Sequence, residues 1–204
     1  MTVEATGRER KPYLRTFGHL ELEGGSFRQS RSLLLLAYLA LEGPTPRRQL
    51  AELLWPDAAA PLNSLSVALT KLRRLKVIEA DDLRVWPSVR CDVHDLKAAL
   101  LAGDVQQVTS LYTEAFLSGS AGEPGAEFEE WALRVREHLA GQVRSALLDA
   151  AARAAAHGQF DAAAQQALHA YGLPGAAPLE GAELVQLATL LTAAQHPDRE
   201  AVLQ

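Results

Sequence analysis

Apolar positions repeat with two periods along this chain, and the change between them divides it. Over residues 13–27 (YLRTFGHLELEGGSF) Leu14, Leu20 and Leu22 stand between polar neighbours, which predicts strands at about 12–17 and 19–23 with Gly24-Gly25 as a turn. His19 then reads as a strand surface residue. From residue 30 the period becomes helical. Residues 30–42 (SRSLLLLAYLALE) predict a buried helix stopped at Gly43-Pro44. Residues 46–55 predict a second, with Thr45 as its cap, Pro46 in its first turn and Leu50, Leu53 and Leu54 facing inward. A third spans 62–75. Wound at about 100° per residue, it gathers Leu62, Leu65, Ala68, Leu69, Leu72 and Leu75 on one side. Asn63, Val67, Thr70 and Arg74 lie opposite, with Ser66, Lys71 and Arg73 at the edges. Residues 76–78, an acidic turn at 79–82 and residues 83–86 then predict a short hairpin. Sheet, three helices and hairpin in this order predict a winged helix-turn-helix, whose second helix of the pair belongs in the major groove of DNA.

Beyond Cys91 the pattern is helical throughout. It predicts helices at 92–101, 105–117 (Val108, Leu111, Tyr112, Ala115 and Phe116 at helical spacing), 128–157, 160–171 and 180–195, with loops at 119–125 and 172–178. His196-Pro197 interrupts the chain. The expected fold class is therefore mainly α: an arm at 1–11, a winged-helix domain at 12–91 with a small sheet and a hairpin wing, and an all-helical domain at 92–204.

Charge divides the chain at the same place. Residues 1–91 carry 14 Lys and Arg against 10 Asp and Glu, a basic excess of four; residues 92–204 carry 6 against 15, an acidic excess of nine. Such a split fits separate partners for the two halves, or a fluctuation between two ordinary domains. The outer face of the 62–75 helix is free of acids and basic toward its end, whereas surface helices usually mix both signs. Arg47 and Arg48 fall in the first turn of their helix, where they oppose its dipole. Two readings stand for them: an anion binds nearby, or both are solvated.

The residues FGHLEL, LLLLAYLALEG, RRQLAELLWPD, NSLSVALTKLRRL and RCDVHDLKAAL resemble the start of bacterial SARP-type activators. The later segments LYTEAFLSG and FEEWALRVREHLAGQVRSALLDAAARAAAHGQFDAAAQQALHAY resemble the bacterial transcriptional activator domain. The resemblance covers roughly residues 14–175. It implies an OmpR/PhoB-like winged helix followed by TPR-like helices, and a sequence-specific DNA-binding regulator that activates transcription. No strict 34-residue repeat is visible, so the repeat architecture comes from the resemblance alone. The partners implied are double-stranded DNA carrying direct repeats, RNA polymerase holoenzyme, and a second copy of the chain on DNA or as a dimer. Relatives of the family often place an Arg early in the recognition helix; Asn63 and Ser64 stand there in this chain.

On this reading Asn63, Ser66, Val67 and Thr70 face base edges. An Asn can pair with adenine through two hydrogen bonds, and an outward Val can meet a thymine methyl. Arg47, Arg48, Lys71, Arg73, Arg74 and Arg84 meet phosphates and set the register. Glu79, Asp81 and Asp82 in the hairpin turn would repel DNA. The alternative is a TPR-like protein-interaction module whose winged helix is degenerate and does not bind DNA.

Enzyme and cofactor chemistry are not expected. Neither GxxxxGK[ST] nor GxGxxG occurs, and no Ser/His/Asp set has supporting motif context. Cys91 is the only cysteine and has no Cys or His at zinc spacing. Asp92-x-His94-Asp95 reads better as a capped helix N-terminus than as a metal site. Glu129 and Glu130 read as a solvated face, and His196-Pro197-Asp198 as a coincidence with the co-chaperone tripeptide. No apolar run approaches the 18 or so residues of a membrane span, so the expected location is the bacterial cytoplasm, at the nucleoid, with no membrane partner.

Overall fold

The computed structural model describes residues 11–24, 27, 30–120 and 124–193. Of the expected arm at 1–11 only Lys11 is among them; Gly25 and His196-Pro197 lie outside. The described residues are mainly helical, with two small sheets in the N-terminal part. They divide into two units: the described residues up to Asp92 together with those of 119–128, and residues 93–118 together with the described residues from Glu129 on.

In the first unit the strands β1 (Tyr13–Arg15) and β2 (Glu21–Leu22) pair antiparallel, with Leu14 opposite Leu22. A strand absent from the sequence reading, β6 (Arg90–Cys91), joins the other edge of β1 in parallel, and the Arg90 guanidinium lies 5.6 Å from the centre of the Tyr13 ring. Leu14, Leu22 and Cys91 are buried.

The helix α1 (Ser30–Glu42) buries every residue from Ser32 to Ala40. A helix apolar on all sides must be enclosed on all sides. It stops at Gly43, whose φ of 77° is easy only without a Cβ and whose N–H closes on the Leu39 carbonyl. Thr45 and Pro46 differ from expectation. They form a strand, β3 (Thr45–Pro46), which pairs with β5 (Arg84–Pro87). The Thr45 hydroxyl donates back to the Gly43 carbonyl, so it does not cap the next helix. Pro46 stands just ahead of that helix in an extended conformation.

The helix α2 (Arg47–Leu54) buries Leu50, Ala51, Leu53 and Leu54, and α3 (Pro61–Arg74) buries Leu65, Ala68, Leu69 and Leu72. Leu62 was expected on the buried face and is half exposed instead, in the first turn of α3, which begins at its neighbour Pro61. The helix ends in a left-handed Lys76 (φ 56°), with the Lys76 N–H bonded to the Arg73 carbonyl. This tight exit moves the next strand two residues along: β4 is Ile78–Ala80, not 76–78, and Glu79 lies in the strand instead of the turn.

In the helical unit, α4 (Asp92–Ala102) and α5 (Val105–Leu111) precede the long helix α6 (Ala126–Ala156), α7 (Phe160–Tyr171) and α8 (Ala182–Ala193). The expected helix at 105–117 stops at Leu111. Tyr112, Ala115 and Phe116, expected at helical spacing, are buried, as is Leu117, but in a turn that includes the left-handed Leu117, while Leu111 is only half-buried. Tertiary partners hold that turn: the Tyr112 hydroxyl donates to the Pro174 carbonyl at 2.8 Å, and Arg136 Nε donates to the Phe116 carbonyl at 2.9 Å. Phe116 meets Trp131 edge to face at 5.9 Å. Ala151, Ala164 and Ala167 form a core with Leu179, Leu187, Leu190 and Leu191.

Burial pushes the Tyr112 phenol up to about 12. A raised pKa means the neutral phenol is favoured in the fold, so its contribution is complete below an unfolded value of about 10 and falls away between pH 10 and 12. Urea titrations across that window should show Tyr112→Phe with a shallower loss of stability than the parent protein. Parallel slopes would mean that Tyr112 does not titrate with unfolding.

Candidate nucleic-acid interface

Main-chain pairing joins α2 to the hairpin. β3 leads directly into α2 and pairs with β5, which pairs with β4, so β3, β5 and β4 form one sheet. The Arg47 N–H extends the join by donating to the Leu83 carbonyl at 2.9 Å. Two arginine side chains then attach α3 to the same hairpin. Arg47 donates from one Nη to the Asp81 carbonyl and from the other to Ser66 Oγ, each at 3.0 Å. Arg73 donates to the Ala80 carbonyl. The second helix, the third helix and the hairpin are therefore fixed to one another by polar contacts as well as by their core.

These contacts change what several of the expected site residues have to offer. Arg47 is half-buried and spends two N–H groups internally; a guanidinium has five, so three remain. It ties α2, α3 and the hairpin together and keeps three N–H groups for any further ligand. Ser66 Oγ accepts from Arg47 and donates to the Leu62 carbonyl, so its donor is used inside the protein. The Thr70 hydroxyl donates to the Ser66 carbonyl, leaving its methyl and its acceptor outward. Asn63, Val67 and Arg74 are exposed, Val67 at 56 %. Arg48 is exposed and forms a surface ion pair with Glu52 at 2.8 Å, which raises its pKa. Such a pair is weak and yields readily to a stronger anion. Lys71 is half-buried, and Arg84 is exposed on β5.

No known protein family, curated protein or solved structure matches this chain. The geometry of the surface must carry the functional reading. Beside the start of α3 lies an open cleft of about 580 Å³ lined by Arg47, Arg48 and Arg84 with Pro46, Leu62 and Leu83. Asp82 also borders it. Leu62 and Leu83, half and three-quarters exposed, are apolar residues that the sequence reading did not assign to the site. Position was the only signal for them: each stands where a core pattern runs out at the end of an element.

Asp81 has a structural role that the sequence did not show, while remaining an exposed acid in the hairpin turn. One of its carboxylate oxygens accepts the N–H groups of Leu83 and Arg84, both at 2.7 Å, and so builds the hairpin turn. An Asp followed by a short turn is a signal of this kind. The Arg84 and Leu83 amides hold its carboxyl below the ordinary value of 3.8. A depressed pKa stabilises the turn above the unfolded value and loses that effect as pH falls through the folded one. The amide proton shifts of Leu83 and Arg84 should therefore follow one titration with a midpoint below 3.8. A midpoint at or above it would remove Asp81 from the turn.

Among the described residues no cluster of His, Cys, Asp and Glu could hold a metal ion, and no helix is long and apolar enough to cross a membrane. Asp92 does more than begin α4. Its carboxylate accepts the Thr16 N–H and hydroxyl, both at 2.6 Å, and the Phe17 N–H at 3.0 Å.

Proposed function

We propose that this chain is a sequence-specific DNA-binding transcriptional regulator of the SARP type, an activator and not an enzyme. Its first unit is a winged helix-turn-helix that sets α3 in the major groove. One observation carries this reading: α3 presents an outward strip of Asn63, Val67, Thr70 and Arg74 with no acid, and that strip belongs to a helix braced against an adjacent hairpin. A rigid amphipathic helix with a neutral-to-basic outer face is what groove entry requires. Asn63, Val67 and the Thr70 methyl read bases. Arg48, Arg74, Lys71 and Arg84 meet phosphates, and Arg47 and Arg73 add their remaining N–H groups. Ser66 contributes as a brace for Arg47. The TPR-like helical unit contacts RNA polymerase or a second protomer, so that paired protomers occupy direct repeats. The site of action is the cytoplasm, at the nucleoid.

Selection of bound sequences from a random DNA pool tests the proposal. Enriched repeats at a fixed spacing, with binding that weakens steeply as salt rises, are expected. An unenriched pool, or binding indifferent to salt, rules it out. One set of contacts favours a second reading, a TPR-like interaction module with a degenerate winged helix. Arg47 and Arg73 spend donors on the hairpin, and Glu79 and Asp82 are exposed there. On that reading the pool stays unenriched while the helical unit still captures its protein partner.

A further inference from the structure

The helical unit holds a second cleft, of about 460 Å³, with Arg144 in its wall beside Tyr171, Ala177, Pro178, Leu179 and Leu184. Its volume lies within the range of small-molecule sites, about 300–1,000 Å³. The chemistry of Arg144 is unusual for a purely structural residue. Its side chain is 6 % exposed, yet its charge is poorly matched. The carboxylate of Glu183, itself well exposed, comes no nearer than 3.5 Å to one Nη. Ion-paired hydrogen bonds ordinarily close to about 2.7–2.9 Å. The other Nη donates to the Ala177 carbonyl, and Nε, buried, has no partner. A buried cation with an open N–H is an unfavourable arrangement unless something completes it.

The wall facing that charge is formed in advance. The loop between α7 and α8 is tied down by Tyr112, which donates to the Pro174 carbonyl. Gly175 closes the same loop, at a φ of 73°, where a Cβ would fall 2.7 Å from the Ala115 methyl. The Ala177 carbonyl fixes Arg144 from the same loop. Pro178, Leu179 and Leu184 make the remaining wall apolar, and the Tyr171 side chain stands half exposed at the cleft.

We propose that this cleft binds a small monocarboxylate with an apolar or aromatic body. As Glu183 moves away, the planar guanidinium of Arg144 turns its buried Nε toward the cleft and takes the carboxylate through Nε and one Nη, the two-point geometry that suits this pair. Tyr171 and Leu184 flank the body. A single cation among apolar walls matches one negative charge, not the two of a phosphate monoester. Glu183 is the internal competitor for the same guanidinium, loosely placed and free to move into solvent.

The test reads Nε directly. In the full-length ¹⁵N-labelled protein the Arg144 Nε–H signal is identified by its loss in Arg144→Lys, or by through-bond assignment if that variant does not fold. Phenylacetate and octanoate are titrated at constant ionic strength, with phenylacetamide and octanamide as uncharged counterparts. The acids should move the signal downfield and saturate, with a dissociation constant on the order of a millimolar or better, while the amides leave it in place. Glu183→Gln should tighten binding several-fold, and Tyr171→Ala should weaken it several-fold. A signal that the acids do not move, that the amides move equally, or whose response weakens in Glu183→Gln overturns the proposal. No DNA is needed, so the outcome is independent of the reading of the first unit.

Discussion

Asp92→Ala should cost the first unit about 3–5 kcal/mol, the largest stability loss expected of any polar substitution in it. The wild-type carboxylate is buried and accepts three hydrogen bonds from Thr16 and Phe17, two of them from main-chain N–H groups. Alanine leaves those donors facing apolar surroundings without water, and each stranded donor costs about 1–3 kcal/mol. Thr16 is completely buried, so solvent cannot compensate. Asp92→Asn should fall between the two, because its carbonyl oxygen still accepts while its amide group brings donors toward donors. Urea denaturation followed by the fluorescence of Trp55 and Trp86 measures both variants. A loss under about 1 kcal/mol for the alanine variant would mean the N–H groups find other partners.

On the proposed DNA-binding reading, Arg74→Glu is expected to weaken binding about tenfold or more, and by a similar factor on every sequence. Arg74 is exposed near the end of α3 and lies on its acid-free strip. A phosphate contact carries no sequence information, so its removal lowers affinity uniformly and makes the dependence of log affinity on log salt shallower by about one per contact. Asn63→Ala should behave differently. Losing a two-point contact to a base costs about 1–3 kcal/mol at one position and relaxes the preference there. Anisotropy titrations on selected and scrambled duplexes separate the two patterns. If Arg74→Glu binds as the parent does, α3 does not lie against a phosphate backbone.

Local signals predicted what is local. The helices of the first unit follow the spacing of Leu50, Leu53 and Leu54 and of Leu65, Leu69 and Leu72, and the long helix follows Trp131, Leu139, Val143 and Leu147. Long-range pairing was not legible. β6 is two residues long, and its partner β1 lies more than seventy positions earlier, so no periodicity marks it. The bond from Asp92 to Thr16 is invisible for the same reason, since an Asp before a helix already has a local explanation. The outer face of α3 could be listed from helical geometry. What its residues are free to do could not, because that depends on where the hairpin lies: Arg47 and Ser66 both belonged to the expected interface, and each bonds to the other. Helix α5 stopped early because the hydrogen bond of Tyr112 and the edge contact of Phe116 reward a turn more than another helical turn would.

The parallel pairing of β1 with β6 also bears on how the protein is made. As the chain leaves the ribosome, β1 emerges early but has only β2 for a neighbour until residues 90–92 follow it out. The first unit waits longer still, because residues 119–128 belong to it: the Gly119 N–H bonds to the Gly18 carbonyl, Gly125 lies close against Pro56, and the Phe128 ring meets Tyr38. A fragment released after residue 92 would lack those contacts, and a nascent chain of that length would carry Tyr38 with part of its cover missing. The unit proposed to read DNA therefore becomes complete only after synthesis of the helical unit has begun, which makes a prematurely terminated product a poor competitor for the same sites.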